Sequence, residues 1–477
     1  MKRKALLAAA LFIACLLTAV LSCGCMNLTP GSISSLFENV AEGGKFDKDS
    51  GSAGEEFTYS FAAETTFNTL VLKEKEEKIT SFEVYANGAL IYASDYVGAY
   101  KYCAFPAVSA GSVTIKVTAA DGAFEFTALE AYMITSTHTP DFEVMAYITA
   151  DSAYKIDVDA YRKNAETVTQ FNLIGSLYFD IDGNLRFYDY AEENSVPGLT
   201  DSCDSGDEIG AEIFGGALEN IRKMNPDATV VVTVLGNKDL TGDGVTDVQE
   251  RHNKAMSGER GKRLISNIVK LLDDYGLDGV SFDYEYPTLS KSFRIYRNFL
   301  GDLKDALPSE KLLTAALSEW NTGIGQNSKP MMKMLDGIEM MAYDLFDSRG
   351  CHSAFYSAYT VTANALAKGA PKDRLHLGLP FYSRPVTEGD YWGAYKDISD
   401  KTDKYQNVIE EDCYGLEGNF LGRLPCYFNG WQMIYDKTCY AIDSGIGGVM
   451  IWHFAYDSSD PEKSLSGAIR AAIDSRS

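Results

Sequence analysis

The stretch LDDYGLDGVSFDYEYP, Leu272–Pro287, sets Asp283 and Glu285 two residues apart among Val280, Phe282, Tyr284 and Tyr286. The apolar set reads as a buried strand, and on a strand residues two apart share a face. Ser281, Asp283 and Glu285 are therefore expected to point together into the fold. Two neighbouring carboxyls in apolar surroundings cost free energy unless they share a proton or serve chemistry. Acid–base work near neutrality suits such a pair, because one carboxylate raises the pKa of its neighbour. A salt-bridged strand end is the simpler alternative, but no Lys or Arg alternates with the acids. A second acidic run, DLTGDGVTDVQE, places Asp239, Thr241, Asp243, Gly244, Asp247 and Glu250 at positions 1, 3, 5, 6, 9 and 12 of a calcium loop. An acidic turn without metal explains the same residues. Ca2+ is the ion a loop of that spacing would hold.

The carboxylates need a frame. From FEVMAYIT onward, apolar strands alternate with amphipathic helices: FNLIGSLYFDI, ATVVVTVLG, LDGVSFDYEY, KLLTAALSEW, GIEMMAYD, LHLGLPFYS and GIGGVMIWHF complete a set of eight. Helical stretches such as GKRLISNIVKLLDDYG separate them, which predicts an α/β fold, a (β/α)8 TIM barrel over 142–475. Chemistry on such barrels sits at the C-terminal strand ends. Residues 51–137 read differently. SVTIKVT and AFEFTAL alternate with period two, and ANG and ADG supply turns, so a small all-β sandwich precedes the barrel.

The N-terminus carries Lys2, Arg3 and Lys4, then ALLAAALFIACLLTAVL, then SCGC. This pattern predicts an exported protein with a signal segment over 1–23, of lipoprotein type if Cys23 is the lipidated residue. Residues 24–50, rich in Gly and Ser, are expected to form a flexible linker. Export permits disulfides, and Cys413 with Cys426 is the nearest candidate pair. Lys and Arg total 43 against 67 Asp and Glu, a formal net charge of −24. Such a surface repels nucleic acid, and the expected contact with membrane is through the lipid anchor or signal segment alone.

The motif YGLDGVSFDYEYP resembles the signature of glycoside hydrolase family 18, D-G-x-D-x-D-x-E followed by Tyr-Pro. Asp278, Gly279, Asp283, Glu285, Tyr286 and Pro287 match it, while Ser281 stands where the family usually has Asp. The resemblance continues, in order, through MMAYD (Met340–Asp344), LGLPFYSR (Leu377–Arg384) and GIGGVMIW (Gly445–Trp452). It implies a chitinase-like enzyme that hydrolyses β-linked N-acetylglucosamine (GlcNAc) bonds with retention, the substrate's own acetamido oxygen being the nucleophile. By resemblance, Glu285 is the acid and then the base, Asp283 orients the acetamido group, and Tyr343 bonds its carbonyl. Asp344, Trp452, Tyr382 and Ser281 are the substrate-side residues, and no cofactor is required. The Ser281 hydroxyl is expected to donate to Asp283 and favour its ionised form.

The partner this implies is a GlcNAc-containing polysaccharide or glycan. Alternatives on the same fold are a non-catalytic glycan-binding protein, or an enzyme acting on N-glycan cores or peptidoglycan. The segment between LPFYSR and GWQMIYDK is short where many chitinases carry a larger α+β insertion. Residues 51–137 resemble the discoidin-like, galactose-binding fold of many carbohydrate-binding modules. That likeness predicts a module holding the barrel near polymeric substrate, and carries over no binding residue.

Overall fold

Val113, Ile115 and Val117 alternate with polar residues, as one buried face of a strand requires. In the computed structural model, which describes residues 33–136, 138–188, 206–236, 244–318, 329–387, 390–415 and 418–477, such segments build an all-β N-terminal unit. Its strands are β1 (Lys45–Phe46), β2 (Ser50–Gly51), β3 (Glu56–Glu74), β4 (Ile79–Ala86), β5 (Ala89–Ser94), β6 (Lys101–Ala120) and β7 (Phe124–Tyr132). They pair in the order β2-β7-β3-β6-β4-β5, with β1 on β3. Register shifts near Ser60 and Phe67 interrupt the long β3–β6 ladder, and such bulges bend a sheet. Phe57, Phe67, Val84, Ile115 and Phe126 form its core.

The flexible linker expected over 24–50 is corrected for residues 33–50. Ile33 is buried in the barrel's own core cluster. The Val40 amide donates to Ala131 at 2.9 Å, and the Asn39 side chain accepts from the Ala131 amide at 3.0 Å. β1 and β2 then pair with β3 and β7. Apolar anchors spaced among the glycines and serines outweigh the composition. The signal segment lies outside the described residues.

The eight expected barrel strands are all present. They are β8 (Glu143–Thr149), β9 (Gln170–Phe179), β11 (Thr229–Leu235), β12 (Gly279–Asp283), β13 (Leu312–Leu317), β14 (Gly337–Met340), β15 (Leu375–Pro380) and β20 (Gly448–Trp452), with β10 (Leu185–Phe187) a short antiparallel flap on β9. Parallel pairing runs β8-β9-β11-β12-β13-β14-β15-β20 and returns to β8, closing the barrel. Between β15 and β20, strands β16 (Tyr382–Pro385), β17 (Gly393–Ala394), β18 (Val408–Tyr414) and β19 (Phe420–Tyr427) make a small antiparallel sheet. The Cys413 and Cys426 sulfurs lie 3.4 Å apart on it as thiols.

Local chemistry places the motif strand. Gly276, at φ 60°, closes helix Gly258–Tyr275 in the left-handed conformation that favours glycine. Asp278 accepts from the Val230 amide at 2.7 Å, pinning β12 to β11. A Cβ on Gly279 would meet the Leu312 carbonyl at 2.4 Å, so glycine lets β13 approach.

The two units share one core. Val71, Tyr102 and Tyr132 of the N-terminal unit sit in the same buried cluster as Met145 and Ile451 of the barrel. Tyr100 stacks on Tyr359 with ring centroids 4.2 Å apart. Asp436, on helix Trp431–Ser444, accepts from the Tyr92 hydroxyl at 2.6 Å and the Ala104 amide at 3.0 Å. Asp443 pairs with Arg476 at 3.0 Å with both side chains fully buried. Arg476 also donates to the Thr69 and Tyr102 hydroxyls. The N-terminal unit is packed onto the barrel as one body with it.

Candidate active site

The strand that carries the motif ends at Asp283, so Glu285 stands two residues past it. This corrects the expectation of three side chains on one strand face. Ser281 is fully buried inside the barrel, Asp283 closes the strand, and Glu285 is exposed at the mouth. Asp283 and Glu285 line a cleft of about 270 Å3 together with Tyr343, Asp344, Trp392 and Trp452. Trp452 ends β20 and stacks beside Tyr343 at 6.4 Å, making an aromatic wall.

Burial holds the Asp283 carboxyl well above the usual carboxylate range, and the negative charges of Glu285 and Glu339 push it further. A hydrogen bond shared with Glu285 acts in the same direction. The Asp283 Oδ1 atom is buried with no hydrogen-bond partner among the described residues. Such an atom costs free energy and is suited to a group that arrives with the substrate.

Ser281 does not donate to Asp283, a second correction. Its hydroxyl donates to Glu339 Oε2 at 3.1 Å. Having no opening to the cleft, it is not a substrate-side residue. Tyr382 is also corrected: it is 1% exposed, and it packs behind Tyr343 and against His352 instead of lining the cleft. Tyr343 lines the cleft, and its hydroxyl reaches the soft Met450 sulfur at 3.9 Å. Asp344 adopts φ 52°, ion-pairs with Arg384, and donates its amide to His352 Nε2 at 3.0 Å.

Several site residues escaped the sequence reading. Glu339 on β14 is fully buried in the barrel. Arg384 lies within a quoted motif, yet only the fold shows its guanidinium 4.0 Å from the Trp392 ring. Trp392, immediately before β17, carried no local signal beyond its being one of 4 tryptophans.

Asp239 and Asp243 of the acidic run lie outside the described residues. Of the other two proposed ligands, Asp247 caps helix Val248–Ala255 by accepting from the Glu250 amide at 2.7 Å. Glu250 pairs with Lys254 at 2.7 Å. These are the roles of an acidic helix start.

A closed (β/α)8 barrel with paired carboxyls and an aromatic wall at its C-terminal mouth defines a protein of the glycoside hydrolase type. The family model "Glycosyl hydrolases family 18" matches residues 143–457, and the chain belongs to that family. Chitinase B of Serratia marcescens is 23% identical over 308 residues, 44% of this chain and 60% of that protein. Class V chitinase of Arabidopsis thaliana is 23% identical over 305 residues, 54% of this chain and 76% of that protein. Among solved structures, the chitinase ChiB of Flavobacterium johnsoniae superposes with a TM-score of 0.51 at 24% identity, covering 70% of this chain and 94% of that one. A class V chitinase mutant from Nicotiana tobaccum, in complex with NAG4, superposes at 0.50 and 18%, covering 69% and 98%.

Proposed function

We propose that the protein hydrolyses β-linked GlcNAc bonds of chitin or chitooligosaccharides by a retaining, substrate-assisted mechanism. The observation that carries this reading is the meeting of Asp283, Glu285, Tyr343 and Trp452 in one cleft. Trp452 offers an apolar face for a sugar ring, and the Tyr343 hydroxyl is a donor at the cleft wall. At rest the proton sits on Asp283, whose carboxyl is held above the usual carboxylate range by burial and by the neighbouring Glu285. With substrate seated, that proton resides on Glu285 and passes to the glycosidic oxygen. The bond from C1 to that oxygen breaks while the substrate's acetamido oxygen bonds to C1, giving an oxazolinium ion. Asp283, now ionised, accepts the acetamido N–H and balances the positive charge. Water then attacks C1 and gives a proton to Glu285 as the bond from C1 to the acetamido oxygen breaks, which regenerates the acetamido group and leaves the product with retained configuration.

Glu285→Gln tests the reading. The isosteric amide cannot donate a proton, so turnover is expected to fall by roughly 10²–10⁴-fold with melting behaviour and oligosaccharide binding kept. Assays on chitooligosaccharides, high-mannose glycopeptide and peptidoglycan in parallel name the substrate. Wild-type protein that binds these sugars and releases no product would make it a glycan-binding member of the family instead.

A further inference from the structure

Ser281 leaves the motif strand one carboxylate short of the usual pattern, and the barrel interior contains an acid that β12 does not supply. Glu339 is fully buried on β14. Its carboxyl accepts from Asn172 Nδ2 at 2.8 Å, from Ser281 Oγ at 3.1 Å and from the Tyr147 hydroxyl. Three neutral donors from β8, β9 and β12 thus converge on it, and no ion pair to it is formed among the described residues. Strand pairing sets Asp283 opposite Ala316 and Ala316 opposite Glu339, so the two acids lie level on strands separated only by β13. Buried acids without a cation are costly and persist where they serve a site.

We propose that Glu339 is the positioning residue that acts on Asp283 in place of a carboxylate at position 281, so that the third acid of the site is delivered from β14 rather than β12. It touches no substrate. Held in place by three donors and level with Asp283 one strand away, it favours the protonated form of the Asp283 carboxyl. The titratable groups that act on the Asp283–Glu285 pair from the elements around it are Glu339, Tyr147 from β8, Tyr286 beside Glu285, and Tyr343 with Asp344 after β14, while Tyr296 of helix Ser290–Ala306 packs on Phe282 and Tyr284 on the other face of the strand. Neither Glu339 nor Tyr147 lines the cleft, and Glu339 is the carboxyl of the two. The catalytic part of this inference rests on the roles given above to Asp283 and Glu285.

The test is Glu339→Gln, alone and combined with Ser281→Asp, read by two measurements. The first is the pH profile of kcat/KM. Removing a negative charge lowers both apparent pKa values of the pair, so both limbs of the bell should move to lower pH by about one unit. The double variant restores a carboxylate on β12 and should return both limbs toward the wild type. The second is infrared titration of the Asp283 carboxyl in ¹³C-labelled protein, the band being identified by its loss in Asp283→Asn. It should titrate at lower pH in Glu339→Gln and recover in the double variant. Superimposable titrations would overturn the inference and leave Glu339 a packing residue. A shifted band in a protein that releases no sugar would sustain the coupling and sink the proposed hydrolysis. If Glu339→Gln does not fold, the double variant decides: native-like titration supports the relocation, and a displaced one overturns it.

Discussion

Asp283 carries a stability cost as well as a proposed role. Its carboxyl in the folded protein titrates well above its value in the unfolded chain. Below about pH 4 both states are protonated and no difference arises. As pH rises past that point, the unfolded chain loses a proton that the native state retains. Stability therefore falls with rising pH until Asp283 itself titrates. Asp283→Asn removes this slope. The variant is expected to melt about 1–3 °C higher than the wild type at neutral pH, with the gap closing near pH 4, and to lose turnover. Scanning calorimetry across pH checks it; a variant that melts lower at neutral pH would show that Asp283 is not under strain from its charge. Of these residues, Asp283, Glu285, Tyr343 and Trp452 were legible because each sits in a short motif in the right order. Glu339 was not, since one acid inside GIEMMAYD has no local partner to mark it.

At the scale of elements, the acidic run at 239–250 joins β11 to a short helix. Asp247 already caps that helix and Glu250 already pairs with Lys254. A calcium ion would compete with Lys254 for the Glu250 carboxylate. We expect a chelator to leave the melting temperature unchanged, and a drop that Asp243→Ala abolishes would establish the ion. Turnover should survive chelation, because each group in the proposed mechanism comes from the chain or the substrate. Loss of activity on chelation, restored by Ca2+ alone, would require the mechanism to be rebuilt. The strands were readable because apolar period and Gly or Pro boundaries are local properties. Where β12 stops was not readable: the apolar alternation runs on through Tyr284 and Tyr286, while the sheet ends at Asp283. β12 leaves the sheet there although its neighbour β13 runs on to Leu317 and pairs with β14.

For the whole molecule, the shared core makes the two units cooperative. The Asp443–Arg476 pair lies fully buried where Thr69 and Tyr102 of the N-terminal unit meet the barrel. Asp443→Ala leaves a guanidinium without its partner in a dry interface, which costs about 3–5 kcal/mol. The urea midpoint should fall accordingly, with one transition seen by every probe in both proteins. Two separated transitions in the wild type would mean that the N-terminal unit folds alone and only leans on the barrel.

The sequence by itself determined the barrel, its eight strands, the family and the motif acids, because period and motif are written in residues adjacent along the chain. Only the tertiary structure decided that residues 33–50 are packed, that Ser281 faces Glu339, that Tyr382 stands behind the cleft, and that Arg384 and Trp392 flank it. The reason is barrel closure. It carries β8 and β9 round to face β14 across the interior and sets Tyr147, Asn172 and Ser281 around one carboxyl, 192, 167 and 58 residues away from it in the chain. No local pattern encodes contacts at that separation; they follow from which strand the folded sheet places next.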